Sequence, residues 1–203
     1  MTPRRRGTAI GWMAALAVAA ALAAAAPAAA QGIHIPGPAT MQGWSVQCGA
    51  GFRWDINPDG RVNDGTNDCY DGGMRLQMHG PNFGTSFSHT PGRQSKDKRE
   101  LELGPHTVHG LKVWRRIYVD PDLGYARWIE IFENTTDTAL ELRLDHYSNM
   151  GNSNQKIHHF KGKNGKTPWA FVTSDGGTHR PAVAHVFATP RCQVRPTAEV
   201  PQR

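Results

Sequence analysis

Val113-Trp114-Arg115-Arg116-Ile117-Tyr118-Val119, Asp120-Pro121-Asp122-Leu123-Gly124-Tyr125-Ala126 and Arg127-Trp128-Ile129-Glu130-Ile131-Phe132-Glu133 run consecutively, and their reading decides the fold. In the first block Val113, Ile117 and Val119 share one face at period two. In the last, Ile129 and Ile131 fall on one face and Trp128 and Phe132 on the other. Pro121-Asp122-Leu123-Gly124 between them is turn chemistry. Two strands joined by a turn follow from the alternation and from the β-branched and aromatic content.

The same signature recurs outward from this block. Phe52 to Ile56, Met74 to His79, Arg99 to Leu103, Leu140 to Asp145, Trp169 to Thr173 and Ala182 to Phe187 read as further strands. Asn57-Pro58-Asp59-Gly60, Asp64-Gly65, Asn134-Thr135-Thr136-Asp137, Asn164-Gly165 and Asp175-Gly176-Gly177 are turns. Long segments with helical period are missing. About eight strands with frequent turns predict an all-β chain folded as an antiparallel β-sandwich. Residues 85–98 read as a mobile polar loop, and residues 190–203 as a polar disordered tail.

Residues 1–30 read as a cleaved signal peptide. Arg4, Arg5 and Arg6 form its positive start, Trp12 to Ala26 its Ala-rich apolar run, and Ala28 and Ala30 fit cleavage before Gln31. An uncleaved anchor is the rival reading; the run is short and alanine only weakly apolar. The expected sandwich domain is 31–189, exported to the periplasm or the medium. The formal charge is +6, but without Arg4, Arg5 and Arg6 there remain 20 basic against 17 acidic residues, a net of +3. That balance does not call for nucleic acid. No membrane span is expected in the mature chain.

Export places Cys48, Cys69 and Cys192 in an oxidising compartment. A Cys48–Cys69 disulfide would close a loop of about twenty residues, a gain of roughly 3 kcal/mol in the chain-entropy picture. That loop holds the densest polar run in the chain, with five aspartates and three asparagines between Asp55 and Asp71. Asp55, Asn57, Asp59 and Asn63, with Gly60, match the start of a calcium loop, and Asp64 or Asp68 could complete the oxygen set. Thr66 stands where a bidentate glutamate belongs, and no helix pattern flanks the loop. The competing reading is a series of Asx and type I turns in which Asp and Asn cap their own backbone. Calcium is therefore the one cofactor the sequence raises.

The ten histidines show no zinc or copper spacing, and adjacent His158 and His159 would face opposite ways on a strand. Glu130, Asp145 and His146 lie on what read as neighbouring strands, and a carboxylate beside a histidine could do acid–base work on a sugar. Against this, Arg115, Arg116 and Arg127 are placed for cross-strand ion pairs with Glu130, Glu133 and Glu141. Of the tryptophans, Trp54, Trp128 and Trp169 read as core. Tryptophan is mostly buried in cores, and Trp114, between Lys112 and Arg115, is the best candidate for exposure as a platform for a ligand.

Trp54-Asp55-Ile56, Asp68-Cys69-Tyr70-Asp71-Gly72-Gly73, Gly124-Tyr125-Ala126-Arg127-Trp128-Ile129-Glu130-Ile131 and Ser148-Asn149-Met150-Gly151 occur in that order. From Gly51 to Phe187 the chain resembles a β-sandwich module that recurs in secreted bacterial proteins and has no activity attached to it. In that module a small residue stands where this chain has Cys69, and strands continue past Phe187. Export, a sandwich fold and surface aromatic residues together lead to the expectation of a secreted, non-catalytic binding or structural module in contact with glycans or cell-surface partners. A small carbohydrate-active enzyme of sandwich fold is the alternative.

Overall fold

The structure is a computed structural model that describes residues 33–65, 69–151, 156–161, 168–174 and 182–187, with side chains in all but 156–161 and 168–174. The expected leader, Asp68, Cys192 and the 190–203 tail lie outside the described residues, as do the side chains of Trp169, His158 and His159. The chain divides into two units, Met1–His34 and Ile35–Arg203, and every described strand belongs to the second.

That unit is an all-β antiparallel sandwich. Its strands are β1 (Trp44–Gln47), β2 (Arg53–Ile56), β3 (Arg75–Gly80), β4 (Phe83–Ser86), β5 (Gly92–Gln94), β6 (Glu100–Val108), β7 (Leu111–Val119), β8 (Ala126–Asn134), β9 (Arg143–Tyr147), β10 (Lys156–Lys161), β11 (Pro168–Ser174) and β12 (Val183–Val186). They form sheets ordered β5-β6-β7-β8, β4-β3-β9, β10-β11-β12 and β1-β2. The quoted block is the β7–β8 hairpin, paired over nine positions from Leu111↔Asn134 to Val119↔Ala126.

The stretch 85–98, expected as a mobile loop, instead supplies part of β4 and all of β5. These short strands carry Gly84 and Gly92 and few β-branched residues, so propensity gave no signal. The Leu140-to-Asp145 strand begins later, at Arg143.

The core follows from the alternation. Val113, Ile117 and Val119 of β7 meet Leu101 and Leu103 of β6 on one face, all fully buried. Leu76 and Met78 of β3 are buried equally, and Trp54, Phe87 and Tyr70 join the same cluster. Cys48 and Cys69 both sit in this core and are not joined to each other, which corrects the expected disulfide. Flanking a loop in sequence does not bring two Cα atoms to the few ångströms that the bond needs.

Candidate functional site

Period two puts Arg115 on the core face of β7, among Leu101, Leu103, Val113 and Ile117. Its side chain is fully buried. A guanidinium carries five N–H donors and cannot lose its proton, so burial requires partners for all of them. Its cross-strand partner Glu130 takes the bond from Nε at 3.2 and 3.1 Å and from Nη2 at 3.0 Å. Nη1 donates to the Asp59 carbonyl at 2.8 Å, and Nη2 to the Met74 carbonyl at 2.7 Å. The guanidinium also lies 5.8 Å from the centre of the Phe87 ring.

Two backbone features complete the cradle. Met74 has φ 58, a conformation that side chains rarely adopt. Gly60 has φ 76, and a Cβ there would come within 2.9 Å of Arg115 Cδ. The Gly60 carbonyl accepts Trp128 Nε1 at 2.9 Å, so β7 and β8 both grip the turn that opens the Asp/Asn run.

His146 reaches this cluster from the other sheet. β9 pairs with β3, not β8, and His146 stands opposite Leu76. Its Nε2 lies 3.6 Å from Glu130 Oε1, with the ring 25% exposed. Burial, helped by the Arg115 charge, lowers its pKa against the opposing pull of Glu130 and Asp145. Asp145, one residue away, points to the opposite face beside Gln77, where His79 Nε2 lies 3.2 Å and Arg143 Nε 3.0 Å from it. Of the expected acid–base residues, Glu130 and His146 meet, and Asp145 does not join them.

The Asp/Asn run turns its side-chain oxygens to its own chain. Asp55 Oδ1 accepts from the Gly65 N–H at 2.7 Å and the Asp64 N–H at 3.3 Å. Asp59 Oδ1 accepts from the Arg61 N–H at 3.2 Å, and Asn63 Oδ1 from Asn57 Nδ2 at 3.3 Å. The Asp59 bond is an Asx turn, while Asp55 and the Asn57–Asn63 pair tie together segments six to ten residues apart. Among the described residues, no group of three or more His, Cys, Asp or Glu is placed to hold a metal ion.

Trp114, the candidate for an exposed platform, is 7% exposed and buried on the outer face of the four-stranded sheet, as the core-packing alternative has it. Glu102 on the neighbouring β6 is fully buried too, and the Ile35 N–H donates to it at 3.4 Å. Alternation separates the two faces of a strand without telling which is covered.

An aromatic group with an exposed Tyr125 lies at the other end of that face, and the sequence reading named only Arg127 of it, for an ion pair. Tyr118 and Arg127 are cross-strand partners, and the Arg127 guanidinium carbon sits 5.5 Å from the centre of the Tyr118 ring. The Tyr125 ring is tilted by 51° to that of Tyr118, with centres 6.2 Å apart. Asp120 anchors the group. Its Oδ1 accepts from the N–H groups of Asp122 at 2.9 Å and Leu123 at 2.7 Å, and its Oδ2 takes the Tyr118 hydroxyl at 3.3 Å. The Asp122 N–H, then Leu123 and the tyrosines, hold the Asp120 carboxyl below its ordinary pKa despite partial burial. Gly49 packs against this turn, donating to the Asp120 and Leu123 carbonyls at 3.1 and 3.2 Å. A Cβ on Gly49 would fall 2.0 Å from the Asp122 backbone, so only glycine fits. Pairing the hairpin symmetrically about its turn would have set Tyr118 against Arg127 from sequence alone.

No family model matches the chain, and no curated protein or solved structure matches it.

Proposed function

We propose that the chain is a non-catalytic β-sandwich module that works outside the cytoplasm and binds glycans or cell-surface partners. One observation carries this reading: the carboxylate best placed for acid–base work, Glu130, is held by Arg115 through both oxygens inside the sandwich. A group so engaged fastens strands together and faces Arg115 rather than a substrate. The leader-like residues 1–30 and the resemblance to secreted modules support the location. Because Asp55 and Asp59 cap their own loop, the reading does not require calcium. Melting temperatures in calcium and in EDTA should coincide.

A second reading rests on the 3.6 Å approach of His146 to Glu130, which is the spacing of a loosely formed acid–base pair. A panel of polysaccharides incubated with the purified chain separates the two. The module retains a glycan without turnover, and keeps its affinity in His146→Ala. Turnover that His146→Ala abolishes would replace this proposal by the enzyme reading.

A further inference from the structure

We propose that Tyr118, Tyr125 and Arg127 form a binding site for acidic saccharides, chains of uronic-acid residues. The inference rests on the module reading above and names its ligand class.

The Tyr125 ring is accessible, while Tyr118 is half-buried with Arg127 over its face. Tyr125 is 44% exposed, Leu123 beside it 61%, and the Arg127 side chain 56%. The group is also fixed before any ligand arrives. The Tyr118 hydroxyl donates to Asp120 at 3.3 Å and the Asp120 N–H donates to the Tyr125 carbonyl at 3.1 Å; Asp120 itself is 9% exposed and anchored by the backbone of its own turn. Rings held this way lose little conformational freedom on binding.

Arg127 supplies the charge. Its nearest carboxylate oxygen, Glu100 Oε1, is 3.7 Å away, beyond hydrogen-bond length. Glu100 is engaged through its other oxygen by Arg116 Nη2 at 2.6 Å. The Arg127 fork is therefore open to an incoming carboxylate, the group its planar geometry suits best.

The shape then selects the ligand. A sugar ring lays its C–H face on an aromatic ring, and in a uronic acid the carboxylate projects from that ring's own edge. Two tyrosines tilted by 51° cannot both lie flat on one planar molecule. Tyr125 takes the sugar face, and Arg127, stacked over Tyr118, meets the carboxylate at its edge. A lone phosphate or carboxylate would use Arg127 and leave the Tyr125 ring idle.

The test measures calorimetric binding of the purified full chain to an oligogalacturonate and to the same oligosaccharide with its carboxylates reduced to alcohols. The acidic form should bind, and the reduced form should bind roughly tenfold more weakly, the scale of one charge-assisted pair. Tyr125→Ala and Arg127→Ala should each cost the acidic ligand a similar factor. Arg127→Gln repeats the test of charge should either alanine variant fail to fold. Absence of binding, equal affinity for the two forms, or variants that bind like the parent would each overturn the site. Tight binding that ignores these variants leaves the module reading standing. Turnover of the oligosaccharide, lost in His146→Ala, would instead end the module reading, and affinities measured in that variant would still judge the site.

Discussion

Arg115 and Arg127 belong to the same hairpin, one on each strand, and face opposite sides of the sheet. Arg115 is fully buried with partners on β8 and on two loops; Arg127 is 56% exposed and stacks on a single tyrosine. The residue type is the same, and what differs is the face of the sheet that the hairpin register gives each. Inside, the guanidinium must satisfy every donor and so binds distant segments together. Outside, water satisfies it, and its donors remain available to a ligand.

Replacing Arg115 gives the largest expected effect. Arg115→Ala strands the Glu130 carboxylate and the Asp59 and Met74 carbonyls in the core, and should cost about 3–5 kcal/mol in a denaturant titration. Arg115→Lys should recover only part of this, because an ammonium cannot make the same fork. Near-parental stability in Arg115→Ala would refute the cluster as a structural clasp.

Acid probes burial on a different group. Tyr70 Oη lies 3.2 Å from His185 Nε2, and burial lowers the His185 pKa from 6.5 to about 4. The unfolded chain therefore takes up this proton first. The stability gained by keeping the ring neutral is whole above pH 6.5 and is lost as pH falls through about 4. The loss is about 3 kcal/mol by linkage. His146 shifts the same way. In His185→Gln the difference in stability between pH 7 and pH 4 should shrink by roughly that amount; an unchanged difference would show that another group dominates.

Gly49→Ala tests the mounting of the open face. Its Cβ meets the Asp122 backbone, and the turn must shift at a cost of about 1–3 kcal/mol. The tyrosine ring signals in an NMR spectrum should move with it. Arg127→Ala should change stability least, by about 0.5 kcal/mol or less, as for an exposed charge with one long contact. A loss comparable to that of Arg115→Ala would erase the contrast between the two arginines.

Much of the fold was legible because alternation is a local signal. The β7–β8 hairpin, the core face of Val113, Ile117 and Val119, and the Arg115–Glu130 pair all follow from period two and one turn. Other pairings did not follow. Arg116 binds Glu100 instead of a residue on β8, and Glu133 takes Lys112. β9 was expected beside β8, yet it pairs with β3, some seventy residues earlier. Nothing local specifies such a partner, so the approach of His146 to Glu130 comes from the stacking of two sheets. The burial of Trp114 likewise depends on which segment covers the outer face.

The chain order of the contacts carries a consequence for synthesis. Asp59, Met74 and Glu130, the hydrogen-bond partners of Arg115, have all been made once the ribosome passes the end of β8. Tyr70 must wait for His185, 115 residues later. Contacts of such long separation slow folding, because the intervening chain must be ordered before they form. A growing chain can thus close its arginine clasp early, while the Tyr70 hydroxyl stays without its histidine until β12 emerges.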